Sequence, residues 1–218
     1  MAESIAILGG TGKEGRGLAL RWARAGREVV LGSREASRAV DAAAEVAETS
    51  GGSVRGMGNA EACAAAALVV AATPYDGLEE TIVACSGVLA GKLVVSAVIP
   101  LQVEDGRFTV RQVPAGSAAQ LVAAAAPRSR AAAAFHNVSF KILADLARGI
   151  DEDVPFACGE EDRETLQALC TDLGARGVHV GGLHLAPYLE GYTAVLLSVN
   201  RRYRTQAGIR FTGLPEAG

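Results

Sequence analysis

Apolar residues in this chain fall into short unbroken runs separated by stretches of helical spacing. Ser4-Ile-Ala-Ile-Leu8 is a β-prone run that enters the glycine-rich segment Gly9-Gly-Thr-Gly-Lys-Glu-Gly15. Leu18, Leu20, Trp22 and Ala23 supply the apolar part of a following helix, which Gly26 is suited to stop. Glu28-Val-Val-Leu-Gly32 predicts a second strand, and Ala39, Val40, Ala43 and Val46 a second helix. Gly51-Gly52 breaks the chain before a third strand over Ser53 to Met57. Leu68-Val-Val-Ala-Ala72 and Lys92-Leu-Val-Val-Ser96 have the apolar continuity of parallel strands covered on both faces, and Ala131 to Phe135 predicts another. Strands that alternate with helices through short connections need crossovers, so the expected fold is α/β with a doubly wound parallel sheet.

Beyond Ser139 the texture changes. Asp151-Glu-Asp153 reads as an acidic turn, Val154 to Cys158 as a strand and Asp162 to Leu173 as an amphipathic helix. Val178 to Val180 reads as a further strand. Leu189 to Tyr203 reads as a long last helix with Leu189, Val195, Leu196 and Val199 available to the core. The expected division is a dinucleotide-binding Rossmann domain over 1–138 and a smaller C-terminal α/β domain over 139–218, with a ligand cleft between them.

Composition removes several alternatives. Half the 218 residues are apolar and the net charge is −3, which excludes disorder and gives no general attraction for nucleic acid. Met-Ala-Glu-Ser-Ile5 lacks a signal-peptide pattern, and the longest apolar stretch, Ala62 to Ala72, is too short for a membrane span. Cys63, Cys85, Cys158 and Cys170 lack close pairing, so no zinc site is expected. Reduced core thiols in a cytoplasmic protein are expected instead.

Gly10-Thr-Gly-Lys-Glu-Gly15 satisfies G-x-G-x-x-G between a predicted strand and a predicted helix. On that pattern Gly10 serves the tight turn, Gly12 admits a pyrophosphate to the backbone, and Gly15 lets helix and strand close up. The helix N-terminus then receives the phosphates. An NAD site places a carboxylate at the end of the second strand; here Gly32-Ser33-Arg34 stands there, with Arg38 four residues on. A hydroxyl and guanidinium groups suit a 2′-phosphate, so NADP is expected, with Arg34 and Arg38 sharing a helix face. Glu35 is assigned to the helix start.

Taken with Val94-Val-Ser96 leading to Pro100, Phe135-His-Asn-Val-Ser139, Asp153-Val-Pro155 with Gly159, Asn200-Arg-Arg-Tyr203 and Ala207-Gly-Ile-Arg210, these motifs make nearly the whole chain resemble the NADPH-dependent coenzyme F-420 reductases. The resemblance implies NADP(H) and the deazaflavin coenzyme F-420 as reactants and a homodimer acting on a small molecule; the cytoplasmic location and the lack of a nucleic-acid or membrane partner are expected from the composition above. It implies NADP contacts at Thr11, Gly12, Lys13, Glu14, Ser33, Arg34 and Arg38, with Thr73, Pro74 and Val98 beside the nicotinamide riboside. The deazaflavin would lie near His136, Ser139 and Phe140, under Ala207 and Gly208. This chain departs from similar proteins before the last helix, where His184-Leu-Ala-Pro-Tyr188 replaces a polar stretch.

Hydride transfer between two stacked cofactors needs alignment and no nucleophile or metal. His136 is placed at the ring's polar edge, or alternatively is a buried histidine held by backbone. Ser139 either donates to a ring carbonyl or caps a helix. His179 and His184 are assigned to packing or solvent. Arg107, Lys141, Arg201, Arg202, Arg204 and Arg210 are the candidates for holding the coenzyme's anionic tail; the alternative for those ending the last helix is pairing with its dipole. Two other readings stay open: an NADPH-dependent reductase of another flat heterocycle, flavin or quinone-like, and a non-catalytic NADP sensor.

Overall fold

Uninterrupted apolar runs give the first strands of the computed structural model, which describes residues 3–214; of the N-terminal stretch, Met1 and Ala2 lie outside it. The elements are β1 (Ile5–Leu8), α1 (Lys13–Arg24), β2 (Val29–Ser33), α2 (Ala36–Ser50), β3 (Val54–Gly58), α3 (Asn59–Ala65), β4 (Leu68–Ala71), α4 (Leu78–Cys85) and β5 (Leu93–Ser96). A hairpin follows, β6 (Leu101–Glu104) and β7 (Arg107–Val110), then α5 (Ala118–Ala125), β8 (Arg130–Ala133) and α6 (Phe140–Ala144). The chain continues through β9 (Asp153–Ala157), α7 (Arg163–Leu173), β10 (Arg176–Gly181) and α8 (Ala186–Tyr203).

Eight strands form one sheet in the order β10-β9-β8-β5-β4-β1-β2-β3, and β6 and β7 form a separate two-stranded ribbon. The run from β8 to β3 is parallel, while β9 meets β8 antiparallel through Ala133 and Ala157 and carries β10 parallel to itself. This is the doubly wound Rossmann arrangement, extended by two strands from the C-terminal part. The chain reverses direction across the sheet between β1 and β4, where such sheets open a crevice for ligands.

Alternation along the buried strands divides the core between the two faces. Ile5, Ile7, Leu31 and Val70 meet Leu18 and Trp22 of α1 and Leu169 of α7 on one side. Ala6, Leu8, Val30, Val69 and Val94 meet Leu78 and Ile82 of α4 and Val122 of α5 on the other. Trp22 packs edge-on against Phe135 at 5.3 Å and donates from its indole to the Leu169 carbonyl at 3.0 Å. That contact fastens α7 to α1. All four cysteines are free and buried, and no described helix is long and apolar enough to cross a membrane.

Three local expectations are corrected. The last helix begins at Ala186 and buries Glu190, Thr193 and Leu196, whereas Val195 is 55% exposed. Val40 of α2 likewise faces solvent. Because α2 starts at Ala36 and Glu35 is its extended N-cap, Arg34 lies ahead of the helix and shares no helical face with Arg38.

Candidate functional site at the carboxyl edge of the sheet

The loop from β1 to α1 turns on Gly9, one residue ahead of the first motif glycine. Gly9 has φ +76°, and a Cβ there would lie 2.6 Å from the Ala72 carbonyl at the mouth of β4. The left-handed turn is thus made by Gly9, and Gly10 is buried against Leu31 instead. Gly15 brings α1 onto the loop, since a Cβ would stand 2.7 Å from Gly9 O. Gly12 is the N-cap of α1 and is exposed, with no side chain capping the helix. The first backbone bond of α1 runs from Arg16 N to Gly12 O, so the N–H groups of Lys13, Glu14 and Gly15 precede the intrahelical ladder. These are the donors a pyrophosphate requires.

At the end of β2, the buried Ser33 hydroxyl accepts from Glu35 N at 3.2 Å, leaving its own proton to donate elsewhere. Arg34 and Arg38 are exposed, and among the described residues neither forms an ion pair. Asn59, which sequence reasoning missed, opens α3 beside this corner. Its Oδ1 is buried without a partner, 2.9 Å from where a Cβ on Gly32 would sit. A polar residue just after a strand at the sheet's carboxyl edge was the only sequence signal for it.

Along the same carboxyl edge, on both sides of the switch point, lies a second set of buried polar atoms with no hydrogen-bond partner: Glu14 Oε1 on α1, Thr73 Oγ1 after β4 and both ring nitrogens of His136 after β8. They come from the starts of the segments following β1, β4 and β8, which the sheet order brings to one edge. Burial pushes the Glu14 carboxyl up to about 8 and, against the opposing effect of the Ser96 backbone, the His136 imidazole down to about 4. Both groups are therefore neutral near pH 7.

His136 is held by strain and by α8. Phe135 before it adopts φ +70° while 1% exposed, and Thr193 of α8 donates to the His136 carbonyl at 2.8 Å. Asn137 donates to Glu152 Oε2 at 2.7 Å and to Asp153 O at 2.8 Å, linking the segment to β9. Ser139 caps α6, accepting from Lys141 N at 3.3 Å. The Lys13 ammonium covers the Phe140 ring at 5.2 Å, joining the glycine loop to α6. Pro74 is exposed at the mouth of β4, and Val98 is buried in the core beyond β5.

The C-terminal segment reaches the same edge. Ala207 N donates to Asn200 Oδ1 at 2.5 Å, a Cβ on Gly208 would meet Glu152 Cβ at 2.6 Å, and Ile209 O accepts from Asp153 N at 2.7 Å. Arg176 clamps Asp153 through two bonds of 2.8 and 2.6 Å, which hold that carboxylate below its ordinary range. His179 stacks on Phe156 at 5.4 Å and His184 is exposed, so neither joins the site. No cluster suited to a metal ion occurs among the described residues.

A glycine cradle with free N–H groups and a corner whose Arg34 and Arg38 form no ion pair among the described residues fit NADP. The orphaned groups along the same edge suit the polar edge of a flat reactant. Fold and site define a dinucleotide-binding protein of the Rossmann class. A family profile described as "NADP oxidoreductase coenzyme F420-dependent" matches residues 4–100. The F420-dependent NADP reductase of Methanothermobacter thermautotrophicus is 37% identical over 226 residues, covering 99% of this chain and 97% of that protein. The F420-dependent NADP reductase of Methanocaldococcus jannaschii is 34% identical over 221 residues, covering 96% and 98%. A crystal structure from Arthrobacter sp. FB24, a candidate F420-dependent NADP reductase, superposes with TM-score 0.81 at 24% identity over 96% of this chain and 99% of that one; it bears on the fold alone. The chain belongs to the F420-dependent NADP reductase family.

Proposed function

We propose that this chain is an oxidoreductase moving a hydride between NADP(H) and the deazaflavin coenzyme F-420. One observation carries the reading: phosphate donors, arginines free of ion pairs among the described residues, and the buried unpartnered groups of Glu14, Thr73 and His136 all lie along one carboxyl edge of the sheet. NADP supplies or receives the hydride. The protein's part is to place the two planar reactants against each other and exclude water.

In this reading Gly10, Thr11, Gly12, Lys13, Glu14 and Gly15 receive the pyrophosphate, and Ser33, Arg34 and Arg38 hold the 2′-phosphate. Thr73, Pro74 and Val98 border the nicotinamide riboside. Glu14, kept protonated by burial, donates a hydrogen bond that a carboxylate could not. Neutral His136 presents one donor and one acceptor to the deazaflavin edge; Ser139 and Phe140 flank it and Ala207 and Gly208 close over it. The working parts are 1–138 for the nucleotide and 139–218 for closure, in a cytoplasmic homodimer.

Anaerobic addition of NADPH to enzyme and coenzyme F-420 tests the assignment through loss of the deazaflavin's visible absorbance. Bleaching at catalytic enzyme concentration is the expected result. Turnover of flavins or quinones without bleaching of F-420, or nucleotide binding with no acceptor reduced, overturns it in favour of a different acceptor or of a sensor.

A further inference from the structure

The six basic side chains considered above for an anionic tail are separated by the fold. Lys141 lies on α6, Arg204 ends α8 in a left-handed conformation, and Arg210 faces Asp151 at 3.3 Å. Arg107, Arg201 and Arg202 instead converge on one depression of about 440 Å³, completed by Gly106, Phe108 and Ser198 between the β6–β7 ribbon and the end of α8. No carboxylate lines it, and among the described residues none of its three arginines forms an ion pair. The Arg201 guanidinium rests on the ribbon's turn, donating to Gly106 O; a Cβ on Gly106 would stand 2.5 Å from it. A second depression of about 430 Å³ holds Arg176 and Arg210 but also Glu152 and Asp153, and Arg176 is engaged by Asp153. Only the first offers uncommitted positive charge.

Its position relative to the site is set by α8. Thr193 touches the His136 segment, and Arg201 lies eight residues further along, about 12 Å at 1.5 Å per residue. A ribityl phosphodiester hung from a ring beside His136 covers a comparable span. Guanidinium groups are matched to phosphate and carboxylate oxygens, and a shallow, open site suits a flexible chain of variable length. We propose that the Arg107, Arg201 and Arg202 depression is the subsite for the phosphodiester and glutamate carboxylates of the deazaflavin's tail. This rests on the reading that coenzyme F-420 is the acceptor.

The test compares F-420 with its tail-free ribityl deazaflavin, using wild type, R201E and R107E. For F-420, each variant should raise KM by about tenfold or more. With the tail-free compound KM should be unchanged, so the wild-type preference for F-420 shrinks. Added salt should raise the wild-type KM for F-420 and leave that for the tail-free compound alone. Variants that shift both substrates equally or neither overturn the subsite while leaving the acceptor assignment standing. A wild-type enzyme that reduces neither deazaflavin overturns the acceptor assignment and the subsite with it.

Discussion

Arg34 is exposed at the end of β2 and forms no ion pair among the described residues, beside a Ser33 hydroxyl whose proton is free. A charge-assisted contact to a phosphate is worth roughly 1.5–3 kcal/mol. Arg34→Ala should therefore raise KM for NADPH roughly 10- to 100-fold while barely moving that for NADH. Parallel steady-state titrations decide it, and equal shifts for both nucleotides would falsify the 2′-phosphate corner. The polar identities at this corner and the glycine spacing were legible in the sequence because they are contiguous and chemically distinctive. The conformations were less so. That Gly9 and not Gly10 takes the left-handed turn depends on how closely Ala72 approaches. Phe135 tolerates a positive φ, at a cost of about 1–3 kcal/mol, because its ring is locked against Trp22. Neither cause is local in the chain.

Helices α5 and α8 meet through a carboxylate. Glu190 is 1% exposed, and its two oxygens accept from Ala118 N and Ala119 N at 2.9 and 3.1 Å at the start of α5. Those bonds and Ser117 favour the charged form, but desolvation outweighs them and burial pushes the carboxyl up to about 7. The folded protein thus binds this proton more tightly than the unfolded chain, whose value is near 4.5. Stability from this group is complete below about pH 4.5 and is lost as pH rises through about 7, by no more than roughly 3 kcal/mol. Glu190→Gln should flatten that decline: the wild-type Tm should fall relative to the variant's between pH 5 and 8, by thermal melts at fixed ionic strength. A constant offset across that range would show that Glu190 does not titrate there. The same residue explains why the apolar periodicity of α8 identifies Leu196 and Leu189 but not Glu190 and Thr193 as its inward positions. Periodicity selects apolar positions, and a carboxylate buried to cap another helix breaks the pattern. The β6–β7 ribbon escaped for a related reason, since its strands are four residues each and mostly exposed.

At the scale of the molecule the parallel sheet was legible, because buried strands need apolar continuity that no surface segment shares. The antiparallel placement of β9 against β8 was not, since it is fixed by Asn137 and by the C-terminal segment bonding Asp153. What the fold leaves outside is a stripe on α8: Tyr188, Tyr192, Val195 and Tyr203 are 70%, 49%, 55% and 70% exposed. With Val199, their spacing of four, three, four and four residues keeps them on one side of the helix, the seam by which two helices pack. Three tyrosines and Val195, all exposed on one side of one helix, exceed the scattered apolar side chains normal to a monomer's surface. The proposed homodimer would cover this seam, with Arg202, seven residues beyond Val195, at its margin. The wild type should then sediment at about twice 22.3 kDa at micromolar concentration. Val195→Glu, which puts a charge in the middle of the seam, should weaken association roughly 100-fold or more and yield the single-chain mass without altering the far-UV spectrum. A wild type that sediments as one chain, or a V195E protein that stays paired, would remove α8 as the contact.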